Sequence, residues 1–149
     1  MFINNELVKI MNNIMNLPTA ETQILERAIE ALYQQTDLQL HTRAPAVRMD
    51  DRMIDAIIKV EGYEALRFTA EIKKWVQQKN IGAMQEQIRR LPGTGMLVAD
   101  YVNPNMADKM REMNIPFIDA AGNAFINEKP LYVFIKGNKQ EKITGVEQL

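Results

Sequence analysis

Apolar residues recur along this chain in two rhythms, a helical one and an extended one, and the changes between them divide it into elements. Ile3, Leu7, Ile10, Met11 and Ile14 share one stripe at helical spacing, which predicts an amphipathic helix ended by Leu17-Pro18. Asparagine fills many of its polar positions, so this helix is intrinsically weak. It is expected to dock onto a partner subunit or to pack loosely on the domain. A second helix is expected from near Thr19, its N-cap, with Leu25, Ala28, Ile29 and Leu32 buried. Glu26 and Glu30 stand one turn apart on another face of it.

The rhythm then becomes extended. Leu38 to Thr42 alternates and is interrupted by Arg43-Ala44-Pro45; Met53 to Val60 and Leu66 to Lys73 predict two more strands around a Glu61-Gly62-Tyr63-Glu64 turn. After Trp75 a helix near Asn80 carries Ile81, Met84, Ile88 and Leu91, and Pro92-Gly93-Thr94-Gly95 stops it. Met96-Leu97-Val98-Ala99 is continuously apolar, as in a strand covered on both faces. Asn103-Pro104 pairs an N-cap with proline at the first helical position, opening a short helix that buries Met106, Met110 and Met113. Pro116 to Asp119, Ala124 to Ile126 and Leu131 to Ile135 read as closing strands, with Gly122-Asn123 as the turn between the first two. This order predicts an α/β or α+β fold with a mixed sheet flanked by helices.

The two central strands test each other. Folding the chain back about Tyr63 sets Ile54, Ala56, Ile58 and Val60 against Ile72, Ala70, Phe68 and Leu66, an all-apolar face. The other face pairs Asp55 with Glu71, Ile57 with Thr69 and Lys59 with Arg67. A slip of one residue would scatter both faces, so parity is well determined, although a slip of two would survive. Asp55 and Glu71 then stand opposite each other with Cβ atoms about 5 Å apart, where like charges need compensation. A divalent cation supplies it, because Mg²⁺ takes one or two carboxylates and keeps several waters. Lys73, two residues beyond Glu71 on the same face, is placed to hold a water or to stabilise charge on a phosphate. The competing reading is a solvated sheet face carrying a surface ion pair.

Composition narrows the setting. The 149 residues are most simply one domain, and the polar end from Gln140 reads as a domain cut from a longer chain. There is no cysteine, hence no disulfide or thiolate metal site. No apolar run reaches the ~18 residues of a membrane span, and we expect a soluble, cytoplasmic protein. The formal charge of −1 counts against strong nonspecific DNA binding. A nucleic-acid role therefore needs a local patch or a bridging metal. Lys73-Lys74, Lys79 and Arg89-Arg90 are the densest basic region, readable as a solvated helix face or as phosphate contacts. His41, the only histidine, and Asp119, before Ala-Ala-Gly-Asn, read as structural, the latter as a turn-forming residue. Asp50 and Asp51 are rival first acids if the register is different.

The helix, Asp-bearing strand, E-x-K strand, helix and strand together resemble the core of the PD-(D/E)XK nuclease superfamily, the restriction-endonuclease-like fold. Within it, RFTAEIKKW, GMLVADYVNPNMADKMREMNIPFIDAAGNAFIN and PLYVFIKG resemble the nuclease-like domain of bacterial AbiEi-family proteins. Those are type IV toxin–antitoxin antitoxins and transcriptional regulators. The superfamily likeness covers about residues 20–101 and the family-like segments extend it to about residue 137. With the amphipathic helix expected over 1–17, it implies a nuclease-like domain over 18–149. Asp55 and Glu71 match the metal-binding acids and Lys73 the catalytic lysine. Glu30, or failing that Glu26, matches a helical glutamate of some members, and Gln85 or Gln87 a glutamine of others. Lys74, Lys79, Arg89 and Arg90, from the basic region noted above, are the DNA-contact candidates. No proline precedes Asp55. The expectation is a DNA-binding domain that hydrolyses DNA with Mg²⁺ or Mn²⁺. The alternatives are a catalytically silent antitoxin or regulator acting through DNA or a toxin-like protein partner, or a dimerisation module using the N-terminal helix.

Overall fold

The computed structural model describes residues 20–43, 47–49 and 52–140. The amphipathic helix expected before Pro18, the Thr19 cap and the rival acids Asp50 and Asp51 lie outside them. Helix α1 (Ala20–Thr36) leads into β1 (Leu40–Arg43), β2 (Val47–Met49), β3 (Arg52–Ile54), β4 (Ala56–Val60) and β5 (Tyr63–Lys73). A 3-10 turn (Gln78–Asn80) enters α2 (Ile81–Arg89), followed by β6 (Thr94–Ala99), α3 (Pro104–Glu112), β7 (Phe117–Asp119), β8 (Ala124–Glu128) and β9 (Leu131–Ile135). The fold class is mixed α/β, as the patterning predicts. Seven strands in the order β1-β4-β5-β6-β7-β8-β9 form one mixed sheet curled into a half-barrel, and β2 and β3 form a separate ribbon. No helix among the described residues is long and apolar enough to cross a membrane.

β5 is the hinge of this topology, antiparallel to β4 and parallel to β6. The parallel steps β5–β6 and β6–β7 need crossovers, and α2 and α3 supply them. Both helices cover the same face: Met84, Ile88, Met106 and Met110 pack with Leu97, Ala99 and Phe117. On the other face Ile24, Leu25, Ala28 and Leu32 of α1 pack against Ile72, Met96, Val98 and Ile118. Met96, Leu97, Val98 and Ala99 are each 0% exposed, which is why this strand reads as an unbroken apolar run. The Asn103 side chain accepts a hydrogen bond from Met106 N at 2.8 Å, with Pro104 following it, as the Asn-Pro pair predicts.

The β4–β5 pairing follows the expected parity: Ala56, Ile57, Ile58 and Lys59 oppose Ala70, Thr69, Phe68 and Arg67. Two details differ. Val60 pairs with Tyr63 rather than Leu66, because Glu61-Gly62 closes a tight turn with Gly62 at φ +84° and the extra residues form a bulge. The strand expected over Met53–Val60 is also broken at Asp55, with Ile54 paired to Val47 in the ribbon.

Two constraints fix the packing. A Cβ on Gly95 would lie 2.2 Å from Ile88 O, so only glycine lets the end of α2 rest on β6. The Asp119 carboxylate, 0% exposed, accepts from Val102 N (2.8 Å), Ala121 N (3.0 Å), Asn123 N (2.8 Å) and Asn123 Nδ2 (2.8 Å). Asn123 in turn exchanges hydrogen bonds with the backbone of Asn138. Asp119 is thus the turn-former that its position before Ala-Ala-Gly-Asn suggests. At the end of the sheet, Phe134 and Tyr132 of β9 set their rings edge-on to Phe125 at 5.9 and 6.1 Å, and Lys136 donates to Asp108 at 2.7 Å.

Gly95→Ala is expected to lower the melting temperature by roughly 5–10 °C, since backbone meets backbone and neither side yields. Gly82→Ala, in α2 with nothing within 4 Å of the added Cβ, is expected to stabilise by about 0.5–1 kcal/mol. Thermal melts of the two variants decide this. Asp119→Ala leaves four buried N–H groups without an acceptor and should cost about 3–5 kcal/mol in urea unfolding. Burial raises the Asp119 pKa above its ordinary 3.8, outweighing the hydrogen bonds that lower it. The unfolded chain therefore releases this proton first as pH rises. The stability that the protonated group carries is full below the unfolded value and is lost as pH climbs through the folded one. The advantage of the wild type over Asp119→Asn should shrink as pH rises above the ordinary carboxylate value of 3.8, read from urea midpoints.

Candidate functional site

The odd-numbered residues of β5 face the side on which α2 and α3 pack. Thr69 is covered there and donates to Pro92 O at 2.7 Å. Glu71 and Lys73 follow along the strand, beside Leu97 and Ala99 of β6. Lys73 Nζ lies 3.5 Å from Glu71 Oε1, with the side chains 30% and 26% exposed. The strand thus brings these two together on one face, half out of water. A partly exposed pair of this kind contributes at most about 1 kcal/mol to stability. Its interest is therefore positional.

Asp55 sits at the bend between β3 and β4, half-buried, and its Oδ2 accepts from Ile72 N at 2.8 Å. The β4–β5 ladder ends at Ala56–Ala70, so this carboxylate takes up a backbone N–H that the ladder leaves behind. One Asp55 oxygen is thereby anchored across β5, next in sequence to Glu71. Among the described residues no group of three or more His, Cys, Asp or Glu could hold a metal ion. Asp55 and Glu71 are two oxygen donors. As donor types, two carboxylates suit a hard cation retaining most of its waters, as Mg²⁺ does, and not a closed zinc site.

The accessory residues are distributed differently. Glu30 is exposed on α1, the helix covering the opposite face of the sheet, and accepts from Gln34 Nε2 at 2.8 Å. Glu26 is exposed on the same helix, so the structure brings neither to Glu71. Gln85 is half-buried on α2, whereas Gln87 lines a hollow of about 230 Å³ together with Lys73, Trp75, Gln77, Asn80 and Met84. The basic residues are spread out. Lys79 precedes α2 and Arg89 ends it, about 13 Å away along nine residues. Arg90 follows and pairs with Glu86 at 3.6 Å. Lys74 lines a second hollow of about 450 Å³, with Arg27, Asp100 and Gln140, beyond the ends of β5, β6 and β7.

Two features go beyond the sequence reading: His41 joins the Lys59–Arg67 pair expected from the register, and Trp75 lines the hollow beside Lys73. His41 of β1, Lys59 of β4 and Arg67 of β5 are register partners in one row, all exposed, on the Glu71 face. Directly paired strand residues share a face, so the Lys59–Arg67 alternation signals part of this. Trp75, 76% exposed, stands at the mouth of the Lys73 hollow. Its only sequence signal is a tryptophan directly after a lysine pair. Comparison of the chain with protein-family models, with curated proteins and with solved structures finds no match.

Asp55→Ala should destabilise by about 1–3 kcal/mol through the orphaned Ile72 N–H, whatever its effect on function. Asp55→Asn keeps an acceptor oxygen and should recover most of that loss. Chemical denaturation of both variants checks it.

Proposed function

We propose that this domain binds DNA and cleaves its phosphodiester backbone as a metal-dependent, restriction-endonuclease-like hydrolase. The observation carrying this reading is the Lys73 ammonium 3.5 Å from the Glu71 carboxylate on an open sheet face, with Asp55 anchored to Ile72 next to Glu71. The element order around them, helix, Asp, E-x-K strand, helix and parallel strand, supports this reading, being the order expected from the sequence's resemblance to the PD-(D/E)XK core. Asp55 and Glu71 would hold a Mg²⁺ or Mn²⁺ ion, which supplies charge neutralisation and an acidified water when bound. Lys73 stabilises negative charge on the phosphate as a P–O bond breaks, water adding hydroxide to phosphorus and a proton to the leaving oxygen. Lys59 and Arg67 extend positive charge along the same face, which supports contacts to a phosphate backbone in spite of the net charge of −1.

A second reading is a catalytically silent antitoxin or regulator domain that binds DNA or a protein. The favouring observation is that one Asp55 oxygen is already committed to Ile72 N, leaving a lean donor set. Incubating supercoiled DNA with Mn²⁺ and the wild type, Glu71→Ala or Lys73→Ala separates the two. Hydrolysis predicts nicking by the wild type and at least a ~100-fold loss in each variant. Nicking that is absent, or equal in all three, leaves the silent reading.

A further inference from the structure

The hollow beside Lys73 has a composition that general electrostatics does not require. Trp75 is the chain's only tryptophan, and it leaves three-quarters of its surface in water. Exposing so large an apolar ring forgoes about 2 kcal/mol of burial. The Lys74 ammonium lies over the ring, 5.8 Å from its centroid. Opposite, Asn80, Ala83, Met84 and Gln87 form one stripe along the start of α2, and Gln77 closes the end of the hollow. Gln77 and Asn80 are the cap positions of the 3-10 turn and of α2, yet neither side chain makes a capping hydrogen bond. Three amide side chains, each presenting donor and acceptor together, thus line one space with Trp75 and Lys73.

We propose that this hollow takes one unpaired nucleobase, stacked on Trp75, so that the strand reaching Glu71 and Lys73 is single-stranded nucleic acid. The inference rests on the reading of Glu71 and Lys73 as a phosphodiester site. Every base has a π-face, and aromatic stacking is the common means of holding unpaired strands. Side-chain amides match the adjacent donors and acceptors of base edges. The volume, about 230 Å³, is below the roughly 300–1,000 Å³ of drug-sized sites and suits one planar ring. In an intact duplex the base faces are stacked on each other and closed to Trp75. Lys73 lines this hollow and also meets Glu71, so a base seated here brings its own phosphate to the paired charges.

Trp75 is its own reporter. With EDTA present, the protein is titrated with a 12-nucleotide DNA or RNA single strand of mixed sequence and with a hairpin duplex, reading tryptophan emission and the anisotropy of labelled strands. Either single strand should quench Trp75. Trp75→Ala should weaken single-strand binding about tenfold, while Trp75→Phe stays within about threefold of wild type. Duplex binding should change less than twofold in both variants. Unchanged emission at saturating single strand, or Trp75→Ala binding as tightly as wild type, overturns the proposal. Mn²⁺-dependent nicking that persists alongside such a result leaves the phosphodiester reading standing. Absence of binding to any strand, together with absence of nicking, overturns both.

Discussion

A carboxylate sealed inside the protein holds the frame of this molecule. Removing Asp119 from water is costly, and four N–H groups offset part of that cost: one from the exit of β6, three from the turn between β7 and β8. Through Asn123 the same cluster reaches the segment after β9 at Asn138. Three stretches distant in sequence are thus tied at one point, the carboxyl ends of the parallel strands. Register carries the constraint across the sheet: Asp119 stands beside Ala99, and Ala99 beside Lys73. The lysine of the candidate site is therefore set two strands from the best-anchored side chain in the fold.

Asp55 illustrates how one residue can answer to structure and chemistry together. Its bond to Ile72 N ends the antiparallel ladder and turns the chain into the β2–β3 ribbon. The same bond commits one of its two carboxylate oxygens to the backbone of β5, at the residue next to Glu71. At the far end of β5, Lys73 and Lys74 alternate by strand parity into two separate hollows, one against α2 and one beneath α1. The strand end divides positive charge between two environments.

What could be read from the sequence was whatever local periodicity controls. The parity of β4 against β5, the doubly buried Met96–Ala99 strand and the Asn103-Pro104 helix start each follow from a few adjacent residues. The pairing of Glu71 with Lys73 follows too, because residues two apart on a strand must share a face. The break at Asp55 could not be read, since it depends on a side chain reaching a backbone N–H seventeen residues away. Glu30 on α1 looked equally available until the structure put that helix against the opposite face. The basic run Lys79 to Arg90 is compact in sequence but is stretched out by the helix between its ends. Trp75 carries no periodic signal at all; its standing comes from the helix that packs across from it.

The far edge of the sheet imposes a different demand. β9 reads Leu-Tyr-Val-Phe-Ile, five β-favouring residues without a charge or a proline, and it is the last strand of the seven. Such a strand is a template for edge-to-edge association of one molecule with the next. Lys129-Pro130 precedes it and Lys136 follows, the latter held in place by Asp108. Charges and proline flanking an apolar strand are the common device by which sequences limit such association. Among the described residues, this edge lies opposite β1, several strands from the site where the chemistry is proposed.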